Sequence, residues 1–514
     1  MPSSPRGQAG AVAVLLGIAV IAAVLLYVPF LRGFFSPELD YSEGWNVMRQ
    51  HMAMTGQPLY GTPPGTAITN YLPLSFYLVG LLGKLTGSFN LAGRIVSFVS
   101  QLGICFLLAR WTFRLTGLRI AGVYTVLCFL CWVALADPKH LVINAPDLMA
   151  LFFEISGFLI FFDGRFVSRK NIMASAFLMT CAFFTKPYMI SLAGAVVLCT
   201  LVKRRWGNAV FYIVSGLIFT ALASAGFVLL DGVHILSHLL RPRPYSVLMM
   251  GILNVTFFVA AIPGLILAKL HTKFLEQDTR RILLITLLAT HLMSAFLCGG
   301  DGVAGNIFIE TLAIDAVVLG AAFGGAVRSA GPVRVMLFLA PVLWPLLVVQ
   351  AGTVQLQHEF AAWNRLPAEL AAYDQAAAIL RATPGPIVCE DLLLCYRAGK
   401  SSAFDPYFVK DQIRVGRLSE AAIDAMLVRQ AFGAIEIGAP DDRHSPFRTM
   451  PQRFCAGFMR TLFAYYRPVL QTPFLTIFTP AAKDRLPSSP PAMVACDPPP
   501  PGSPAAAGHG RAGE

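Results

Sequence analysis

Asp40 and Glu43 lie three residues apart in SPELDYSEGW, a polar stretch just beyond the first long apolar run. On a helix this spacing puts two carboxylates on one face, which suits a general base with a second acid beside it, or a shared divalent cation. In a loop the same two residues are ordinary solvated acids. A second stretch, DPKHLVINAPD, carries Asp137, Lys139, His140 and Asp147. Asp147 opens an apolar segment, where an ionisable group is usually functional or paired. An acid at a helix N-terminus also has an ordinary capping role. Asp137, His140 and Asp147 are candidates for an acceptor or metal site, with the metal unknown.

Cations stand near the same ends of the apolar runs. Lys186 lies between two such runs in FFTKPY, and Arg241 and Arg243 lie in HLLRPRP. A departing phosphate develops anionic charge that such groups stabilise. Lys186, Arg241, Arg243 and Lys139 are therefore candidate phosphate-binding residues, with snorkelling to the interface the plainer role for Lys186. His234 and His238 are four apart, but two histidines without a third ligand fall short of a metal site.

The elements that must position these residues are membrane helices. Of 514 residues, 56% are hydrophobic and 13% charged, too few charges to cover several soluble domains. Apolar runs near the roughly 18 residues needed to span a bilayer recur from residue 10 to residue 350. The net charge of +12 would suggest nucleic acid in a soluble protein, yet the basic residues cluster in short loops, where topology accounts for them. Nucleic acid is excluded as a partner on that ground.

Alternation of basic loops gives about eleven spans, beginning with 11–31 and continuing with 91–108, 120–136, 144–162, 171–186, 188–202, 208–230, 247–268, 281–298, 306–325 and 333–350. Residues 1–9 are then cytoplasmic, and residues 33–70 form the first outer loop. The run 71–85 is short, with Pro73 near its start, and reads as an embedded segment that does not cross completely. Residues 351–480 read as an extracytoplasmic α/β domain, and 481–514 as a Pro/Ala/Gly-rich disordered tail. The fold class is thus a polytopic α-helical membrane protein with a small C-terminal α/β domain, placed in the bacterial inner membrane. Cys128 and Cys131 form a CxxC inside an apolar run with no second pair, which favours packing over metal or redox chemistry.

An enzyme acting at the outer face has no ready supply of nucleotide sugars or ATP. An activated donor must arrive on a lipid, and a polyprenyl phosphate carrier meets that requirement. The alternative is a transporter or flippase of a lipid-linked anionic substrate, which predicts inverted repeats and charges near the bilayer midplane.

The order of short motifs resembles the polyprenyl-phosphate-dependent membrane glycosyltransferases of the GT-C superfamily, which includes protein O-mannosyltransferases and lipid A aminoarabinose transferases. The matching stretches are LDYSEG (39–44), NYLPL (70–74) with a following helix ending in KLTG (84–87), AGR (92–94), NAPD (144–147) and TKP (185–187). CGGDGVAGNIFIE (298–310) is similar to a glycine-rich outer turn of bacterial members. The resemblance implies that Asp40 is the base deprotonating an acceptor hydroxyl, that Glu43 assists or binds metal, and that Asp147 shapes the acceptor or metal site. It implies a hexosyl- or pentosyltransferase using a polyprenyl-phosphate-linked sugar, an envelope glycan, lipid or protein acceptor, and a divalent metal cation as a candidate cofactor. The chain departs from the protein mannosyltransferases, which have an adjacent Asp-Glu pair. It also lacks the lysine that aminoarabinose transferases place before the proline of the second motif, having Asn70-Tyr71-Leu72 there.

Overall fold

The long apolar runs fold as helices because a segment surrounded by lipid has to satisfy every backbone N–H and C=O within itself. The computed structural model describes residues 5–60, 71–164, 166–239, 245–300, 303, 305–329, 331–414, 416–438, 453–482 and 484. The first half contains α1 (Pro5–Phe35), α2 (Tyr41–Thr55), α3 (Leu74–Thr86), α4 (Phe89–Thr116), α5 (Arg119–Ala136), α6 (Asp147–Asp163), α7 (Arg169–Thr185), α8 (Ser191–Val202) and α9 (Trp206–Asp231). Then come α10 (Ile235–Leu239), α11 (Val247–His271), α12 (Gln277–Leu297), α13 (Ile309–Ser329), α14 (Pro332–Met336), α15 (Ala340–Val348) and α16 (Gln350–Ala382).

Among the described residues, seven helices are long and apolar enough to cross a bilayer: α1, α4, α5, α9, α11, α12, and α13 with its preceding turn. The protein is therefore a multi-pass membrane protein. The other expected spans are shorter helices: α6 and α7 have 17 residues each and α8 has 12. At 1.5 Å per residue α8 covers about 18 Å of a hydrocarbon core that is about 30 Å thick. The last span is divided between α14 and α15, with Pro341 and Pro345 in the second piece. With 13 residues, α3 is also too short to cross the core, as the sequence suggests.

Burial sorts the helices. Almost all of α13 is inside the bundle, where Gly320 and Gly324 let α4 and α5 approach; a Cβ at Gly320 would sit 1.8 Å from Thr125 Oγ1. Tyr124 of α5 stacks on Phe323 of α13 at 4.3 Å. By contrast α9 and α11 turn Leu222, Leu229, Val255 and Phe258 outward, the composition of lipid-facing surfaces.

The C-terminal region is a four-stranded sheet with helices: β1 (Ile387–Cys389), α17 (Leu392–Arg397), α18 (Pro406–Arg414), α19 (Glu420–Val428), β2 (Ala434–Gly438), α20 (Ala456–Tyr465), β3 (Tyr466–Gln471) and β4 (Leu475–Pro480). The strand order is β1-β2-β4-β3, with β1 parallel to β2 and the remaining pairs antiparallel. Ala376, Ala377 and Leu380, near the end of α16, pack against this sheet. A disulfide joins Cys389 at the end of β1 to Cys395 in α17.

Candidate active site

The first-loop acids are arranged by helix capping. Asp40 is the N-cap of α2, in extended conformation, and its carboxylate accepts from the Ser42 amide at 3.0 Å. Three residues on, Glu43 reaches back and accepts from the Leu39 amide at 2.8 Å. This is close to a capping box, in which an N-terminal acceptor and an acid three residues later satisfy the orphan N–H groups of the first turn. The spacing thus does not put both carboxylates on one helix face. Asp40 stands outside the helix, and Glu43 points into the protein, so the shared-cation arrangement expected from an i, i+3 pair is not formed.

Glu43 is fully buried and holds two elements together. Arg94 of α4 grips both carboxylate oxygens, Nε to Oε1 at 2.8 Å and Nη2 to Oε2 at 2.7 Å. The Asn144 amide donates to Oε1 at 2.9 Å. Arg94 also donates to the carbonyls of Gly33 and Ser36, at 3.0 and 2.8 Å. Asn144 and Gln50 exchange amide hydrogen bonds at 2.8 and 3.0 Å, while Asn46 donates to the Asn144 carbonyl at 2.7 Å. Gly93 is small because Asn144 lies against it: a Cβ would fall 1.8 Å from Asn144 Oδ1. The motif stretches 39–44, 92–94 and 144–147 thus meet in one buried knot.

Asp40 remains partly exposed, about one-fifth, and forms an ion pair with Lys139. Burial alone would push its carboxyl up, but Lys139 and His140 outweigh burial and hold it well below the usual carboxylate range. Burial acts against the Lys139 ammonium too, and Asp40 and Asp137 more than offset it, so its pKa is raised. His140 Nδ1 lies 2.9 Å from Asp137 Oδ2. Burial would lower the imidazole, yet Asp137, Asp147 and Asp40 together raise it above its ordinary value. Asp40, Asp137, Lys139 and His140 therefore form one interacting group at the join of the α1–α2 and α5–α6 loops.

Asp147 is the first residue of α6 and makes a separate pair. Its Oδ1 accepts from Lys186, from the Tyr188 hydroxyl at 3.1 Å and from Asn306 Nδ2 at 2.9 Å. The Lys186 ammonium is 2% exposed and lies 5.0 Å over the rings of both Tyr71 and Tyr188. It is enclosed by its own counter-ion and two aromatic faces. Arg241 and Arg243 lie outside the described residues. His238 is buried edge-on to Tyr60, with ring centroids 5.6 Å apart.

Deeper in the bundle the segments that surround Asp147 supply a second polar layer. Ser191 Oγ donates to Glu310 of α13, and Glu154 of α6 accepts from the Leu192 amide at 3.0 Å. Glu154 escapes a reading of the outer loops, though an acid inside the apolar run DLMALFFEISGFL is itself a signal. Among the described residues, no group of three or more His, Cys, Asp or Glu side chains is gathered to hold a metal ion.

No family model and no curated protein matches the sequence. Among solved structures, ArnT from Cupriavidus metallidurans bound to undecaprenyl phosphate superposes with a TM-score of 0.59 and 13% identity, over 94% of this chain and 100% of that one. The chain has the ArnT fold. ArnT in its apo state gives a TM-score of 0.58 with 13% identity, over 93% of this chain and 99% of ArnT. An Archaeoglobus fulgidus oligosaccharyltransferase, tethered through a disulfide to an acceptor peptide containing the NVT sequon, aligns with a TM-score of 0.47 and 12% identity over 83% of this chain and 69% of that one. The polytopic helical membrane fold that the motif resemblance implies is the fold observed, since ArnT superposes over 94% of this chain. In the ArnT fold of this chain, the first-loop helix α2, α4 and the α5–α6 loop are the elements that carry the knot around Glu43.

Proposed function

We propose that the chain is a membrane glycosyltransferase that moves a sugar from a polyprenyl-phosphate carrier to a hydroxyl of an envelope lipid, polysaccharide or protein at the extracytoplasmic face. The observation that carries this reading is Asp40: a partly exposed carboxylate at the start of a first-loop helix in an ArnT fold, ion-paired with Lys139 and held well below the usual carboxylate range. The acceptor hydroxyl hydrogen-bonds to Asp40, and its oxygen attacks the anomeric carbon. As that C–O bond forms, the bond from the anomeric carbon to the carrier phosphate breaks, and the hydroxyl proton passes to Asp40. The carrier phosphate leaves as the anion and needs no proton at that moment, so a second catalytic acid is not required.

Lys139 is the cation placed to meet both charges. Its ammonium has three N–H donors, of which Asp40 takes one, so it can also meet phosphate oxygens. Arg241 and Arg243 are further donors by sequence position. Lys186 serves as counter-ion to Asp147, whose role is to fix the α6 start against the 186–191 and 305–310 segments. Glu43 acts as a strut for Asp40. Asp137 and His140, 2.9 Å apart, pack beside Lys139 and Asp40. With no multidentate cluster among the described residues, no step is assigned to a metal. The outward orientation is supported by the basic loops and by the Cys389–Cys395 disulfide, since such bonds persist in oxidising compartments.

The test is mass spectrometry of envelope glycolipids, polysaccharides and glycoproteins from cells lacking the protein, complemented with the native chain or with Asp40→Asn. A sugar restored by the native chain alone supports the reading and names donor sugar and acceptor together. An identical profile in all three strains overturns it.

A further inference from the structure

The C-terminal domain grips the residues that follow Asp40. Tyr41, the first residue of α2, donates its hydroxyl to Asp405 Oδ1 at 2.6 Å. Asp405 is 4% exposed, and its carboxylate also accepts from the Phe408 amide at 3.2 Å, at the start of α18. The Arg453 guanidinium lies 4.5 Å over the Tyr41 ring and donates to the Glu390 carbonyl at 3.2 Å. Tyr407 packs against the same ring at 5.7 Å.

The next grip is at Gly44, where α17 sits directly on α2. A Cβ there would lie 2.3 Å from the Leu393 nitrogen and 2.8 Å from the Leu392 carbonyl carbon. Leu392 packs with Trp45 and Leu393 with Val47. The wedge itself is fixed at both ends: Asp391 caps α17 by accepting from the Leu394 amide at 3.1 Å, and the Cys389–Cys395 disulfide ties α17 to β1. On the membrane side Arg94 holds Glu43. The backbone that orients Asp40 is thus fastened by the bundle at Glu43 and by the C-terminal domain at Tyr41 and Gly44.

We propose that the C-terminal domain is a working part of the transfer site, in which Asp405 and the α17 wedge hold Tyr41 and Gly44 so that the Asp40 carboxylate meets the acceptor hydroxyl. This rests on the transfer reaction proposed above. Tyr41 and Asp405 touch no reacting atom; they are positioning residues. A displacement of about 1 Å at a reacting group costs on the order of a hundredfold in rate, so one hydrogen bond that sets a helix start can carry a large effect.

The experiment uses the full chain with Tyr41→Phe, Asp405→Ala, Asp405→Asn and the Tyr41→Phe/Asp405→Ala pair, with two readouts. Amide hydrogen exchange of residues 40–45 is measured on purified protein, and the sugar product is measured in complemented cells. Tyr41→Phe and Asp405→Ala are expected to speed exchange at 40–45 and to cut product at least tenfold. The pair is expected to do no worse than Asp405→Ala alone, since Asp405→Ala already removes the Tyr41 bond along with the Phe408 one. Asp405→Asn keeps an oxygen acceptor for the Tyr41 hydroxyl and is expected to recover most of what Asp405→Ala loses, which a general loss of folding would not allow. Product lost with Asp40→Asn but kept with Tyr41→Phe and Asp405→Ala overturns the positioning role alone, as does unchanged exchange at 40–45. Product kept with Asp40→Asn overturns the transfer reading and the positioning role with it.

Discussion

Arg94 on α4 and Glu43 on α2 form a two-pronged ion pair that is almost entirely buried, with side chains 6% and 0% exposed. Every other hydrogen bond of the pair goes to backbone: the amides of Leu39 and Asn144 on one side, the carbonyls of Gly33 and Ser36 on the other. The pair therefore ties the end of α1, the start of α2 and the α5–α6 loop to α4. Removing one partner leaves the other charged, buried and uncompensated. Arg94→Met is expected to destabilise the protein by about 3–5 kcal/mol, and Glu43→Leu with Arg94→Met together by clearly less. Thermal unfolding of the detergent-solubilised chain checks this; a loss below 1 kcal/mol in the single variant would contradict it.

Asp40→Asn is expected to lower transfer by about 10²–10⁴-fold, the usual worth of a positioned base, while leaving the N-cap in place because Asn caps as well as Asp. Product yield against melting temperature separates the two effects.

Lys139→Gln addresses pH. With Lys139 and His140 beside it, Asp40 has a folded pKa below the unfolded value, so its stabilising pairing is present above the unfolded pKa and lost as pH falls through the folded one. Transfer by the native chain should thus show no Asp40 limb in mildly acidic buffer. Without Lys139 the carboxyl moves up, and an acid limb should emerge nearer the ordinary carboxylate range. A transfer rate of purified Lys139→Gln protein that does not fall as the pH is lowered to about 4 would argue against Asp40 as the titrating base.

Gly93→Ala tests the contact between the α4 motif and Asn144. The added methyl would fall on the Asn144 side chain, which is itself held by Gln50, so the neighbour has no free direction in which to yield. A loss of about 1–3 kcal/mol is expected, as for other overpacked sites. Gly216→Ala, where nothing lies within 4 Å, is the control and should be near neutral.

In the C-terminal domain, Asp391 and Glu436 are buried side by side, the Asp391 amide donating to Glu436 at 2.9 Å. Burial pushes the Asp391 carboxyl up to about 6 and that of Glu436 well above its usual range. A folded pKa above the unfolded one gives stability that is full below the unfolded value and lost as pH rises through the folded one. The domain should therefore be more stable in mild acid and lose stability towards neutral pH as the Asp391–Glu436 pair ionises. Asp391→Asn, which keeps the α17 cap, should flatten that slope in a series of melts.

Much of the architecture was legible in the amino-acid sequence. Residues 91–108, 120–136 and 208–230 are apolar because they face lipid or core, and each lies within a helix, α4, α5 and α9. A span is written in consecutive residues, so composition alone reveals it. The short motifs were legible as well, through their resemblance to a known family, and the structure brings 39–44, 92–94 and 144–147 together around Glu43. The helix start at Tyr41 could have been read from the D-x-x-E spacing, which is a capping signature as much as a catalytic one.

What the sequence could not contain was which charge answers which. Asp40 meets Lys139 across 99 residues, Asp147 meets Lys186 across 39, and Tyr41 meets Asp405 across 364. Local spacing carries no information about such pairs, whose partners are set by how helices and loops pack in three dimensions. Lys186 illustrates the consequence: its place between apolar runs left phosphate binding and snorkelling both open, and only packing shows it set against Asp147, Tyr71 and Tyr188. The sequence determined a polytopic helical protein with acids in the segments that join its apolar runs. Only tertiary structure decided that Glu43 is buried against Arg94, that Asp40 stays one-fifth exposed beside Lys139, and that the C-terminal domain packs on the start of α2, because burial and charge pairing are properties of the packed chain.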